Sequence, residues 1–199
     1  MSDIRTRRLV LQALGTGFAY LAAGPVFAAR SYESQLVTLA HEQLNRLGDA
    51  VRLRDVVGIA DYSQRSSMQR FHLVDLARSR IDSFLVSHGR GSDPAHSGWL
   101  QRFSNDLGSN ASSQGAYLTG DHYVGRHGPS MRLIGLDRTN NHAFDRAIVV
   151  HGAWYVGQDM LQKHGRLGRS EGCFAFSETE VHTIMRRLGP GRLLFSAKV

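Results

Sequence analysis

Three features of the sequence predict a mostly β domain, α+β in class, with peripheral helices. Helical apolar spacing is confined to the two ends of the mature chain, short β-branched and aromatic runs lie between them, and the composition is that of a core-forming protein. Of 199 residues 42% are hydrophobic, with 21 glycines and 4 prolines, a balance that fits neither a disordered nor a fibrous chain. The length suits one domain of ordinary size, and no internal repeat or clear linker divides it.

The first 28 residues read as an export signal. Arg5, Arg7 and Arg8 form a charged start, Leu9 to Ala23 is apolar, and Val26-Phe27-Ala28 offers small residues where a signal peptidase cuts, so cleavage is expected after Ala28. The apolar run is shorter than the ~20 residues a spanning helix needs, so no stable membrane anchor is expected after its removal. Thr6-Arg7-Arg8-Leu9-Val10-Leu11-Gln12 also resembles a twin-arginine signal.

Residues 29–50 are expected to be helical: Leu36, Leu39, Ala40, Leu44 and Leu47 recur at helical spacing from Ser31, and Gly48 stops them. Residues 51–199 form the mostly β part of the chain. Val56 to Tyr62, Arg70 to Asp75 and Ile81 to His88 read as strands; Gly89 to Gly115 is too long for a purely structural connection and reads as a functional loop or lid. Further strands are expected at Met131 to Leu136, Arg146 to His151 and Arg192 to Ala197. In Ile148-Val149-Val150 the apolar triplet suits a strand buried on both faces, which delivers His151 at its end. Ser177 with Glu180 forms a capping box for a last helix with Val181, Ile184, Met185 and Leu188 on one face, ended by Gly189-Pro190-Gly191.

The net charge of +7 falls to +5 without the export segment, which takes away three arginines and Asp3. The remaining charge is dispersed, with no basic block or recognition motif, which argues against a nucleic-acid partner. Arginines spread in this way suit an anionic envelope or carboxylates on a substrate. Ten histidines bring no HExxH and no clustered ligand set, so neither a metal nor another cofactor is expected.

Cys173 is the sole cysteine, which excludes internal disulfides and, by itself, a zinc ribbon, a CxxC pair or an iron–sulfur site. It follows a glycine in Arg169-Ser170-Glu171-Gly172-Cys173, 22 residues after His151. A thiol attacks only as thiolate, so a histidine base, neighbouring cations or aligned N–H groups are required, and His151 suits the first role. Gly172 admits a substrate carbonyl and lets backbone N–H groups near Cys173 face an oxyanion, with Ser170 in the same loop. A lone cysteine is more often an inert core residue, but an oxidising compartment disfavours a free thiol without a purpose.

Val150-His151-Gly152-Ala153 paired with Ser170-Glu171-Gly172-Cys173 resembles the signature of the L,D-transpeptidase catalytic domain, the YkuD-like family, in which His-Gly precedes Ser/Thr-x-Gly-Cys. Ser112-Ser113-Gln114-Gly115-Ala116-Tyr117, His88-Gly89-Arg90-Gly91-Ser92-Asp93, and Gly128 to Leu136 followed by Asn141 and Arg146 are similar to its murein transpeptidase subgroup.

The resemblance implies an L,D-transpeptidase-like β-sandwich or barrel in the periplasm or elsewhere in the cell envelope, acting on peptidoglycan stem peptides. It implies that Cys173 attacks the third, diamino-acid residue of a donor tetrapeptide, expels D-Ala and leaves a thioester resolved into a 3-3 cross-link, with His151 as base and Gly172 and Ser170 shaping the oxyanion loop. Carbapenem-type β-lactams are the implied inhibitors. An L,D-carboxypeptidase using the same thiol, or a non-catalytic peptidoglycan-binding domain, are the alternatives. Glu171 stands where the family commonly has His or Arg, and a carboxylate there raises the thiol pKa unless turned away or paired with Arg169. Ala175 stands where many members carry a substrate-holding arginine, which leaves that role to Arg132 or Arg169. Gly152, Tyr117 and His88 complete the substrate-binding candidates, and Tyr123 and His127 could line the same cleft, although Tyr117 in a strand is more often a packing residue and His127 beside Gly128 a turn residue.

Overall fold

The computed structural model describes residues 25–199. The expected export segment lies outside the described residues up to Gly24, and a helix begins at Pro25 and runs through the expected cleavage point. No described helix is long and apolar enough to cross a membrane.

That helix, α1 (Pro25–Leu47), ends where Gly48 takes a left-handed φ of +52°. Leu36, Ala40 and Leu44, one turn apart, are buried with Val57, Ile59, Val74 and Leu193, so α1 seals one face of the sheet. The strands are β1 (Val56–Asp61), β2 (Phe71–Asp75), β3 (Arg80–Phe84), β4 (Gly115–Gly125), β5 (Gly128–Gly135), β6 (Val149–Gly152), β7 (Phe174–Phe176) and β8 (Leu193–Ala197); α2 (Gln158–His164) joins β6 to β7 and α3 (Val181–Leu188) joins β7 to β8. They form one eight-stranded, nearly closed sheet in the order β3-β2-β1-β8-β4-β5-β6-β7. Every residue of β1 is buried, because α1 covers one face and the main core the other. The buried Val181, Ile184, Met185 and Leu188 of α3 join that main core with Phe71, Tyr117, Phe174 and Phe176. Ser177 Oγ accepts from the Glu180 N–H and donates to its carboxylate, which fixes the turn entering α3.

Three elements differ from expectation. The run from Ile81 to His88 pairs with β2 only as far as Phe84; beyond it Arg70 takes the Val86 carbonyl and the Ser87 N–H donates to Ala175 O, so the chain crosses toward β7. β4 was not marked by alternation, because its register with β5 shifts between Thr119 and His122 and its second half is largely exposed. That half and the start of β5 project beyond the sheet as a hairpin with Arg126 and His127 at its tip. β6 starts only at Val149, since residues 145–147 turn through Ala147 at a left-handed φ of +50°.

Residues 89–114 contain one 3-10 turn (Arg90–Ser92) and otherwise no regular element. The segment is anchored from within by a buried relay: Arg70 donates to Gln64 O and Val86 O and bonds His88 Nδ1 at 2.7 Å, and His88 Nε2 lies 3.3 Å from Asp93. The Asp93 carboxylate also accepts from the Ser97 and Gly98 N–H groups.

Candidate active site

β6 and β7 run parallel and adjacent, with His151 opposite Ala175 and Val150 opposite Phe174. Cys173 therefore enters β7 beside the strand that carries His151, which is how a 22-residue separation becomes a shared cavity. That cavity, about 260 Å³, has Cys173, Ser170, His151 and Tyr155 among its lining residues. Arg126 and His127 of the β4–β5 hairpin and Arg169 and Glu171 complete it.

The loop before Cys173 is a closed hydrogen-bonded turn. Ser170 Oγ donates to the Cys173 carbonyl at 2.8 Å and accepts from the Gly172 N–H at 3.2 Å. The backbone of Ser170 exchanges bonds with His88 O and the Arg90 N–H. Gly172 has φ +116°, and a Cβ there would sit 2.7 Å from Ala111 O and 3.1 Å from the Arg146 guanidinium, so only glycine fits. The Gly172 N–H expected to face an oxyanion is thus already used by Ser170.

Cys173 Sγ donates to Ala147 O at 3.5 Å. Burial pushes the thiol pKa up; a backbone bond from Val149 and the charge of Arg126 pull it down, Glu171 raises it, and Arg146 lowers it. His151 Nδ1 bonds its neighbour's carbonyl, Gly152 O, at 2.8 Å; in the neutral ring Nδ1 is then the donor and Nε2 the free base. Burial depresses the His151 pKa, with His127 and Arg126 adding to that and the Gly152 bond opposing it. Both shifts favour a neutral thiol and a neutral imidazole at rest. The ring of His127 stacks on that of His151 with centroids 4.3 Å apart and planes at 19°. Arg126 Nε donates to His127 Nε2 at 2.9 Å.

Glu171 pairs with Arg90 at 3.0 Å and Arg126 at 3.5 Å, and not with Arg169. Arg169 lines the cavity but donates to the carbonyls of Asp93 and Pro94. Arg132 lies outside it, over the rings of Tyr123 (4.5 Å) and Phe144 (5.8 Å). Arg146 packs beneath the Cys173 loop at Gly172, donating to Ser104 O, Ser113 Oγ and Ala111 O.

His88 and Tyr117 are not cleft residues: both are buried, His88 between Arg70 and Asp93, and Tyr117 against Phe174 with its hydroxyl on Ser113 O. Gly152 lines an adjoining groove of about 580 Å³ that shares Arg126, His127 and Tyr155 with the Cys173 cavity. The sequence gives no periodic or motif signal for Arg126 or Tyr155, and His127 reads there as a turn residue. Among the described residues no group of three or more His, Cys, Asp and Glu side chains is placed to hold a metal ion.

This sheet, with a Gly-Cys loop entering a strand beside His-Gly, defines a catalytic domain of the L,D-transpeptidase class. The family model of the L,D-transpeptidase catalytic domain matches residues 28–196, and the chain belongs to that family. Solved structures similar to it include an L,D-transpeptidase from Mycobacterium tuberculosis H37Rv (15% identity, 72% of this chain and 57% of that one, TM-score 0.46). L,D-transpeptidase 3 from M. tuberculosis, in complex with a faropenem-derived adduct, gives 14% identity, 71% and 60% coverage and TM-score 0.44. The helical cell shape determining protein of Campylobacter jejuni gives 13%, 80% and 54%, and 0.44. The chain spans a little over half the length of these proteins. No curated protein matches it.

Proposed function

We propose that this domain is an exported cysteine acyltransferase of the cell envelope that acts on peptidoglycan stem peptides, with Cys173 as nucleophile and His151 as general base. The observation that carries the reading is the shared cavity: Cys173, a free cysteine, and His151, whose Nδ1 is engaged and whose Nε2 has no hydrogen-bond partner among the described residues, line one cavity from adjacent parallel strands in a member of the L,D-transpeptidase family.

The thiol leaves Ala147 O when a donor carbonyl enters, and His151 Nε2 takes its proton as sulfur bonds to the carbonyl carbon of the diamino-acid residue. The oxyanion is held by the backbone N–H of Cys173, since that of Gly172 is engaged. Collapse breaks the C–N bond to D-Ala, His151 returns the proton to the leaving amine, and a thioester remains. The amine of a neighbouring stem then attacks, gives its proton to His151 and restores the thiol, forming the 3-3 cross-link. Water in place of the amine gives the carboxypeptidase outcome by the same steps. A resting neutral pair means proton transfer accompanies attack, which also protects the thiol from oxidation outside the cytoplasm.

A carbapenem is the direct chemical probe, since its strained carbonyl is open to the same attack. Intact mass spectrometry should show one drug equivalent on the wild type and none on Cys173→Ala. An unmodified wild type under prolonged excess would count against an activated thiol.

A further inference from the structure

Trp154 is 75% exposed, the most exposed of the tyrosines and tryptophans among the described residues, and it sits three residues after His151. Its position is fixed: Ala153 N–H donates to Phe176 O, Val156 N–H to Ala153 O, and the neighbouring Tyr155 meets the Trp154 ring edge-on at 5.8 Å while its carbonyl accepts from Gly168. An indole held on a rigid turn and left bare has no role in the core, and its flat face is open to a ligand. It lines the 580 Å³ groove with Glu178 and His182, and this groove continues into the Cys173 cavity through Arg126, His127 and Tyr155. The groove has the size of a ligand site and the lining that suits a sugar: one flat aromatic face for the C–H face of a pyranose, with a carboxylate and an imidazole for hydroxyl and acetamide groups.

We propose that this groove is a glycan subsite, in which Trp154 stacks on an N-acetylhexosamine of the strand that carries the stem peptide. The proposal rests on the reading of Cys173 as acting on stem peptides, because only two residues and a linker separate the attacked residue from the sugar, about 10 Å of extended chain. The occupant of the cavity therefore brings a hexosamine into the neighbouring groove, and the enzyme selects strand-borne stems over free peptides.

The test compares a free tetrapeptide with the same tetrapeptide on an N-acetylhexosamine disaccharide, as donors for the wild type and Trp154→Ala. The wild type should favour the disaccharide form by about tenfold in kcat/KM, and Trp154→Ala should bring that ratio close to one. Equal use of both donors by the wild type, or a ratio unchanged by the substitution, would overturn it. A second arm needs no turnover: N-acetylhexosamine tetrasaccharide without peptide should quench the fluorescence of Trp99→Phe protein, and absence of quenching up to millimolar sugar contradicts the subsite. Quenching without turnover of either donor keeps the subsite and rejects the catalytic reading.

Discussion

The imidazole of His127 lies flat on that of His151, 4.3 Å away, and no other titratable ring in the described residues stacks on His151. His127 arrives on the hairpin tip, with its Nε2 occupied by Arg126. With Arg126 it opposes protonation of His151. His127→Ala should therefore let the His151 pKa rise toward its ordinary value, moving the acid limb of the kcat/KM profile to higher pH. His127→Phe restores the stack and should restore much of the profile. A limb that stays in place in His127→Ala would remove the ring from the account.

Glu171 is half-exposed and tied to two exposed arginines, so its ion pairs contribute little stability, roughly 0–1 kcal/mol. Its effect is on the thiol, which its charge makes harder to ionise. Glu171→Gln should lower the Cys173 pKa and speed alkylation by iodoacetamide near neutral pH, with a melting temperature close to the wild type. Slower alkylation would contradict the sign.

Gly172→Ala forces a side chain onto Ala111 O at a backbone angle that L residues avoid. The cost is about 1–3 kcal/mol, at about 2–4 °C in melting temperature for each kcal/mol in a domain of this size. Alkylation and acylation of Cys173 should fall more than stability does, because the turn that aims the sulfur is the part displaced.

His72 and His88 are buried, and burial depresses their pKa values to about 4 and about 3, with Arg70 adding to the second. Asp61 and Asp93 act in the other direction on each. Both folded values lie below the unfolded imidazole value of about 6.5, so below that pH the unfolded chain binds more protons than the folded one. Stability should be full above about pH 6.5 and decline as pH falls toward 4 and 3. Urea midpoints at about pH 7.5 and pH 5 check this, and His72→Phe should reduce the difference. Equal midpoints in the wild type would contradict it.

How much of this was legible follows from where each signal resides. Leu36, Ala40 and Leu44, and the Val181 to Leu188 face, carry the helical period in the chain itself, and α1 and α3 follow from it. Cys173 and His151 are legible because Gly-Cys and His-Gly are local patterns. Phe174-Ala175-Phe176 is too short to read as a strand, yet its pairing with β6 is what unites the two. His88 reads as a cleft residue because its polar atoms suggest function, and Tyr117 reads as either a cleft or a packing residue; Arg70, Asp93 and Ser113 O satisfy those atoms inside the core. Arg126 and His127 take their meaning from a hairpin that folds over residues far away in sequence, and Arg146 from three carbonyl and hydroxyl partners that come together only in the folded loop.

The central claim is that Cys173 is the nucleophile toward a stem tetrapeptide. Incubation of a disaccharide tetrapeptide with wild type and with Cys173→Ala, followed by mass spectrometry of peptide and protein, tests it most directly. The account predicts D-Ala release and a transient acyl adduct on Cys173 in the wild type, and neither in the variant. Equal D-Ala release by both proteins, or none by a folded wild type in the presence of an amine acceptor, would contradict it.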